Sequence, residues 1–297
     1  MMFGEAAERI RNAATFEELI TDGGEEATYR AYAKAVHPDA AADSEGATHA
    51  FAQLARLYRD RGRRLAVGDI ADLIRRDDTT ITKIPRDPAD SDLMEAEAAA
   101  LRRLRDEGDP RYRPYAPKLI DSYLHEDPER RRRRVNVQER LVGFVALDAV
   151  EPRDARDIAW IWRRLLVGLG WAHRAGVVHG AVLEEHVLIH PEQHGVALVD
   201  WCYSGTRVKA VVARRKDVYP PEVLKDKNAG PATDIYMATG LMTRLIEDPP
   251  KPLRRFADGC LYDAPRMRPQ DAWRLLAELD DILHSLYGPR TFRPFIV

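Results

Sequence analysis

The chain has 297 residues, 45% of them hydrophobic, with 46 Lys and Arg set against 48 Asp and Glu. That length suits more than one domain and a sizeable core, and so even a charge balance gives no electrostatic case for nucleic acid as a ligand. No apolar run approaches the roughly 20 residues a membrane helix needs, so no membrane partner is expected. The opening residues, MMFGEAAERIRNAA, lack a leader-type apolar stretch, and the two cysteines, Cys202 and Cys260, have no metal-ligand spacing. A reduced, cytoplasmic setting is expected.

Residues 1–62 are rich in Ala, Glu and Arg, with helical periodicity and no strand-like run. Segments 25–36 and 47–61 carry the pattern. In the second, Phe51, Leu54, Leu57 and Tyr58 recur at three-to-four-residue spacing and predict one apolar helix face. Between the two stand His37-Pro38-Asp39 and a polar loop. This order of helix, HPD and helix resembles the J domain of Hsp40-type co-chaperones. The resemblance implies that His37, Pro38 and Asp39 engage an Hsp70 and stimulate its ATPase. The sequence departs from the family in its second helix, where Arg30 and Lys34 are the only cations and face Glu25 and Glu26.

From residue 63 the pattern changes to short β-type runs. Segments 65–74 and 77–87 predict two or three antiparallel strands, and 117–123 and 140–150 two more. Residues 93–108 form a helix of high intrinsic propensity. The arginine run 130–134 is then expected in the loop between the fourth and fifth strands. Such a run is either solvated or a site for a phosphorylated or acidic partner, since arginine grips phosphate bidentately. Beyond Pro152 the pattern is helical, starting at 155–176. The expected class is α+β, with a small helical domain at 1–62, a sheet-bearing lobe at 63–150 and a helical lobe at 151–297.

Residues 177–205, VVHGAVLEEHVLIHPEQHGVALVDWCYSG, carry a second resemblance, to Ser/Thr-type protein kinases. His179 opens a stretch matching the catalytic loop H-R-D-L-K-P-E-N. Val187-Leu188-Ile189 continues as the strand that follows, and Asp200-Trp201-Cys202 falls at D-F-G. Tyr219-Pro220-Pro221-Glu222 resembles A-P-E, with Arg268 as the expected ion-pair partner of Glu222. Asp234 opens a helix whose aspartate, in the family, ties down the catalytic-loop backbone. The resemblance implies a two-lobed kinase fold. It also implies a nucleotide site in which Lys83 on the third strand meets the phosphates and Glu97 on the next helix fixes Lys83, with Glu95 on another face. Asp200 would be the magnesium ligand. Gly68 is the one glycine kept in the phosphate loop, with Ala66 and Ala71 at the other two positions, so ATP with magnesium is expected to bind weakly or not at all.

The catalytic loop itself is degenerate. Ala181 replaces the aspartate that orients the attacking hydroxyl, Leu183 the lysine that meets the γ-phosphate, and His186 the metal-binding asparagine. What the resemblance implies is a pseudokinase scaffold or regulator whose J-like domain brings an Hsp70 to a protein client. Two alternatives stay open: an atypical kinase or nucleotidyl transferase using Glu184 or Glu185 as base, and an interaction module without nucleotide. His179 and His190 read as structural residues. Segment 206–215, with Arg207, Lys209, Arg214 and Arg215, reads as a basic activation segment.

Overall fold

A computed structural model describes every residue except 1, 14–15, 21–23, 39–43, 61–63, 127–129, 151–153, 293–294 and 296–297. Asp39 and the 61–63 connection therefore lie outside the described residues. The chain divides into two units, residues 1–67 with 73–75, and residues 68–72 with 76–297.

The first unit is built on helices α1 (Phe3–Asn12), α2 (Gly24–Ala35) and α3 (Ser44–Asp60). Their apolar residues fall at helical spacing, so each buries one stripe. Ala6, Ala7 and Ile10 of α1 meet Tyr32 of α2 and Ala50, Leu54 and Leu57 of α3 in a small core that Phe16 and Leu19 close. The rings of Tyr29 and Tyr58 stack at 4.1 Å, with Phe16 edge-on to Tyr58 at 5.0 Å. The apolar face expected on α3 thus forms, with Phe51 and Tyr58 at its half-buried margin. His37 is exposed just past α2, its ring edge-on to Phe51.

A five-stranded antiparallel sheet follows, in the order β1 (Arg64–Val67), β2 (Ala71–Arg75), β3 (Thr80–Pro85), β5 (Arg132–Glu139), β4 (Leu119–Glu126). The fifth strand corrects the sequence expectation. It was expected at 140–150 but runs over 132–139, paired with β3 and β4, and the last three arginines of the 130–134 run are strand residues rather than loop. Arg132 pairs with Glu126 across β4, and Arg134 with Glu95. Residues 140–150 are instead a turn and a short strand. Gly143 has φ +81°, and a Cβ there would lie 2.6 Å from the His190 ring, so the chain bends where a strand would run straight. Only β6 (Val145–Ala146) is strand, joining β7 (Val187–His190) and β8 (Gly195–Leu198) in a second sheet ordered β6-β7-β8.

Helix α4 (Ser91–Glu107) packs on β4 and β5. It buries Leu93, Met94, Ala98, Leu101 and Leu104, and Glu97 lies within that apolar stripe. A carboxylate placed there must find partners. The remainder is helical: α5 (Ala155–Arg174), α6 (Pro231–Leu245), α7 (Lys251–Cys260) and α8 (Ala272–Tyr287). α5 packs on α6, α8 and β8, and the buried Ile158, Ile161, Trp162, Leu165, Leu166 and Leu169 put it at the centre of the larger core. Among the described residues no helix is long and apolar enough to cross a membrane.

One buried ion pair closes this helical region. Arg268 sets Nη1 and Nη2 at 2.6 and 3.0 Å from the two oxygens of Glu222, and also donates to the carbonyls of Tyr262 and Asp263. The Thr233 hydroxyl donates to the same carboxylate at 3.0 Å. Both side chains are almost fully buried, so removing one leaves the other's charge stranded. The Glu222→Ala variant is expected to lose about 3–5 kcal/mol of stability, measured by urea unfolding. A loss under about 1 kcal/mol would mean that the pair is solvated, since that is the range of exposed pairs.

Candidate functional site

Lys83 points from β3 into the protein, its side chain 3% exposed. Its Nζ lies 2.6 Å from Glu97 Oε1 of α4 and also donates to Asp200 Oδ1, just past β8. Burial alone would lower the ammonium's pKa, but the charges of Asp200 and Glu97 outweigh it and the pKa is raised. Asn136 of β5 completes the group. Its side-chain amide donates to Glu97 Oε2 and to the Met94 carbonyl, each at 2.9 Å. Both Glu97 oxygens are therefore used, which is how a carboxylate persists inside an apolar stripe.

Asp200 adopts a left-handed backbone, φ 59° and ψ 48°, uncommon for a residue with a side chain. The turn that follows is anchored by Trp201, which is fully buried and donates its indole N–H to the Leu198 carbonyl at 2.8 Å. Burial would raise the Asp200 carboxyl, but Lys83 and His186 hold it down at about 2, so it is an anion.

The loop ahead of β7 is held from below by Asp234 of α6. Its carboxylate accepts the backbone N–H groups of His179 and Gly180, each at 2.8 Å, and faces His173 Nε2 at 2.9 Å. Gly180 has φ +80°, and a Cβ there would lie 2.5 Å from the Tyr203 carbonyl oxygen, so this close approach needs glycine. Two histidines in the loop take opposite states. His179 Nε2 donates to the Val199 carbonyl while Nδ1 accepts from the Ala181 N–H; burial drives its pKa down to about 4, so it is neutral. His186 Nδ1 donates to the Ala181 carbonyl at 2.8 Å and Nε2 faces Asp69 Oδ2 at 2.8 Å and Asp200 Oδ2 at 3.4 Å. Carbonyl and carboxylate oxygens only accept, so both ring nitrogens donate. Burial opposes the charge, but Asp69 and Asp200 raise the pKa.

Asp69 comes from the β1–β2 connection, next to Gly68, whose own amide is spent on the Ala71 carbonyl. Its second oxygen faces Arg214 Nη1 at 2.8 Å. Arg214 and Arg215 in turn hold Glu185 at 2.9 and 3.1 Å, and Arg215 reaches Glu184 at 3.5 Å. Asp69, His186, Asp200, Lys83 and Glu97 thus join the 214–215 segment in one connected charge network.

The structure brings Lys83, Glu97, Asp200, His186 and the Gly68 connection together, and Glu95 stays outside, paired with Arg102 and Arg134. Ala181 and Leu183 are buried and apolar, so no acid or amine projects from either position. His37 and Pro38 lie on the first unit, and Asp39 is outside the described residues. Sequence reasoning missed Asp69 and Asn136, and it named Arg214 in the basic segment without its partner Asp69. Asp69 sits one residue from a noted glycine, and Asn136 lies in VNVQ, whose alternating valines are a strand signal hidden behind five arginines. Asp69, His186 and Asp200 form a group that could hold a metal ion, with ligand atoms all within 4.8 Å of one another. No model of a known protein family matches the chain.

Replacing Asn136 by leucine leaves Glu97 Oε2 buried without its donor. This variant is expected to lose about 1–3 kcal/mol by urea unfolding, the cost of an unsatisfied buried acceptor. An unchanged midpoint would show that the Asn136 amide does not support Glu97.

Proposed function

We propose that the chain is a catalytically silent, protein-kinase-like scaffold carrying a J-type helical module that recruits an Hsp70. Five antiparallel strands with one helix, followed by a helical region, support a two-lobed kinase reading. So do the Lys83–Glu97 pair, the Asp234 bonds under the 179–180 backbone and the Glu222–Arg268 pair. In the first unit, His37 just past α2 and the three-helix core support the J-type reading.

The observation that carries the silent reading is Ala181. A fully buried methyl occupies the position from which a base would meet the substrate hydroxyl. The nearby carboxylates do not replace it. Glu184 and Glu185 are engaged by Arg215 and Arg214, and although burial would raise it, the Glu185 pKa is lowered by a backbone hydrogen bond, by Arg215 and by the His186 charge, which makes it a poorer base. The magnesium–nucleotide pair does not fit the residues present. Magnesium prefers oxygen donors in a near-ideal octahedron, and here an imidazole stands among the donors, with the Asp69 carboxylate already against it. No transfer step is derived through that ion.

The test has two arms, both on the full chain. With radiolabelled ATP and magnesium, phosphoryl transfer to itself or to generic protein substrates is expected to stay at background. Installing Ala181→Asp alone should leave it there, because His186 and Leu183 are unchanged. ATP-dependent labelling that disappears in Asp200→Ala would contradict the silent reading. In the second arm, stimulation of an Hsp70 ATPase is expected from the wild-type chain and absent in His37→Gln. Equal stimulation by both would contradict the chaperone reading.

A further inference from the structure

We propose that Asp69, His186 and Asp200 form a site for a divalent transition ion of the zinc type, taken up without nucleotide. The kinase-like reading enters only as the reason magnesium was expected here; the site itself stands on these three side chains.

Three independent features point to it. The first is donor geometry. Metal–nitrogen and metal–oxygen bonds of about 2.0–2.2 Å at tetrahedral angles place neighbouring donors about 3.4 Å apart. His186 Nε2 and Asp200 Oδ2 already lie 3.4 Å apart, and Asp69 Oδ2, at 2.8 Å from Nε2, needs to open only slightly. The second is the outer support that orients each donor. His186 Nδ1 is fixed on the Ala181 carbonyl, which aims Nε2 at the site, as in most metal-bound histidines. Each carboxylate has its other oxygen on a cation, Asp69 on Arg214 and Asp200 on Lys83, which leaves one oxygen apiece for the ion.

The third is charge. The network joined by these ion pairs contains five carboxylates (Asp69, Glu97, Glu184, Glu185, Asp200) and three cations (Lys83, Arg214, Arg215). With His186 protonated the network keeps one net negative charge, and a divalent ion that takes the place of the Nε2 proton, which leaves to solvent, brings it to neutrality. One nitrogen and two oxygens suit zinc, manganese or cobalt and disfavour magnesium. Three protein donors leave a fourth position for water. The ion would also tie the β1–β2 connection to the loop ahead of β7, on the ground a nucleotide's phosphates would need.

The test is calorimetric titration and thermal melting of the full chain with zinc, manganese or magnesium chloride, without nucleotide. The expected result is one zinc equivalent bound with a raised Tm, and no response to magnesium. Asp69→Asn should abolish the zinc response. His186→Asn, an all-oxygen set, should exchange it for a magnesium response. Cobalt gives a readout that does not depend on stability: a visible absorption band in the wild type, lost in Asp69→Asn. Zinc uptake or a cobalt band unchanged in Asp69→Asn, or no uptake by the wild type, overturns the proposal. Either failure leaves the absence of phosphoryl transfer untouched, and transfer activity would leave zinc binding untouched, so the two readings fail separately.

Discussion

An ammonium taken out of water costs several kcal/mol unless carboxylates meet it in good geometry. Lys83 is met by two, from elements far apart in sequence: Glu97 on α4 and Asp200 beyond β8. Those partners impose further demands. Glu97 needs a donor for its second oxygen, which Asn136 supplies from β5. Asp200 must turn its backbone left-handed to present its carboxylate, and the buried Trp201 anchors that turn. One buried lysine therefore fixes the register of β3 against β5, the rotation of α4 and the path of the chain after β8. Removing a partner would strand a charge, so the arrangement is defined more by what cannot be left unpaired than by what it gains.

The same logic explains why the site is full of the protein's own charges. Asp69 and Asp200 both converge on His186, and the imidazole between them must be a cation or give way to one. Arg214 and Arg215 then neutralise the outer carboxylates. In the kinase-like reading, each position that would handle phosphate is engaged: the lysine by two acids, the glycine-loop amide by its own turn, the metal position by a histidine. In the same reading, the buried Ala181 and the Asp69–His186 contact both fit the proposed scaffold.

Much of this was legible in the sequence because it rests on local pattern. The apolar face of α3, the helix at 93–108 and the strand carrying Lys83 follow from spacing and β-branching, and the Glu222–Arg268 pair was what the kinase resemblance implied. What stayed hidden has physical reasons. β5 begins in three arginines and buries Asn136 and Gln138 beside Val135 and Val137, so its apolar alternation is masked by polar residues, and the partners of Asn136 lie on α4. The stretch 140–150 is apolar enough to read as strand, yet Gly143 bends it. Asp69 and Arg214 are 145 positions apart, and their pairing has no local signature, because each meets the other only across the fold.

In the kinase-like reading we propose, Asp69, held between His186 and Arg214, stands where a nucleotide's phosphates would sit. The most direct measurement is ATP affinity by calorimetry for the wild-type chain beside Asp69→Ala. Weak or absent binding is expected in the wild type and measurably tighter binding once the carboxylate is gone, with Lys83→Ala abolishing the gain. Tight binding by the wild type, unchanged in Asp69→Ala, would contradict that reading.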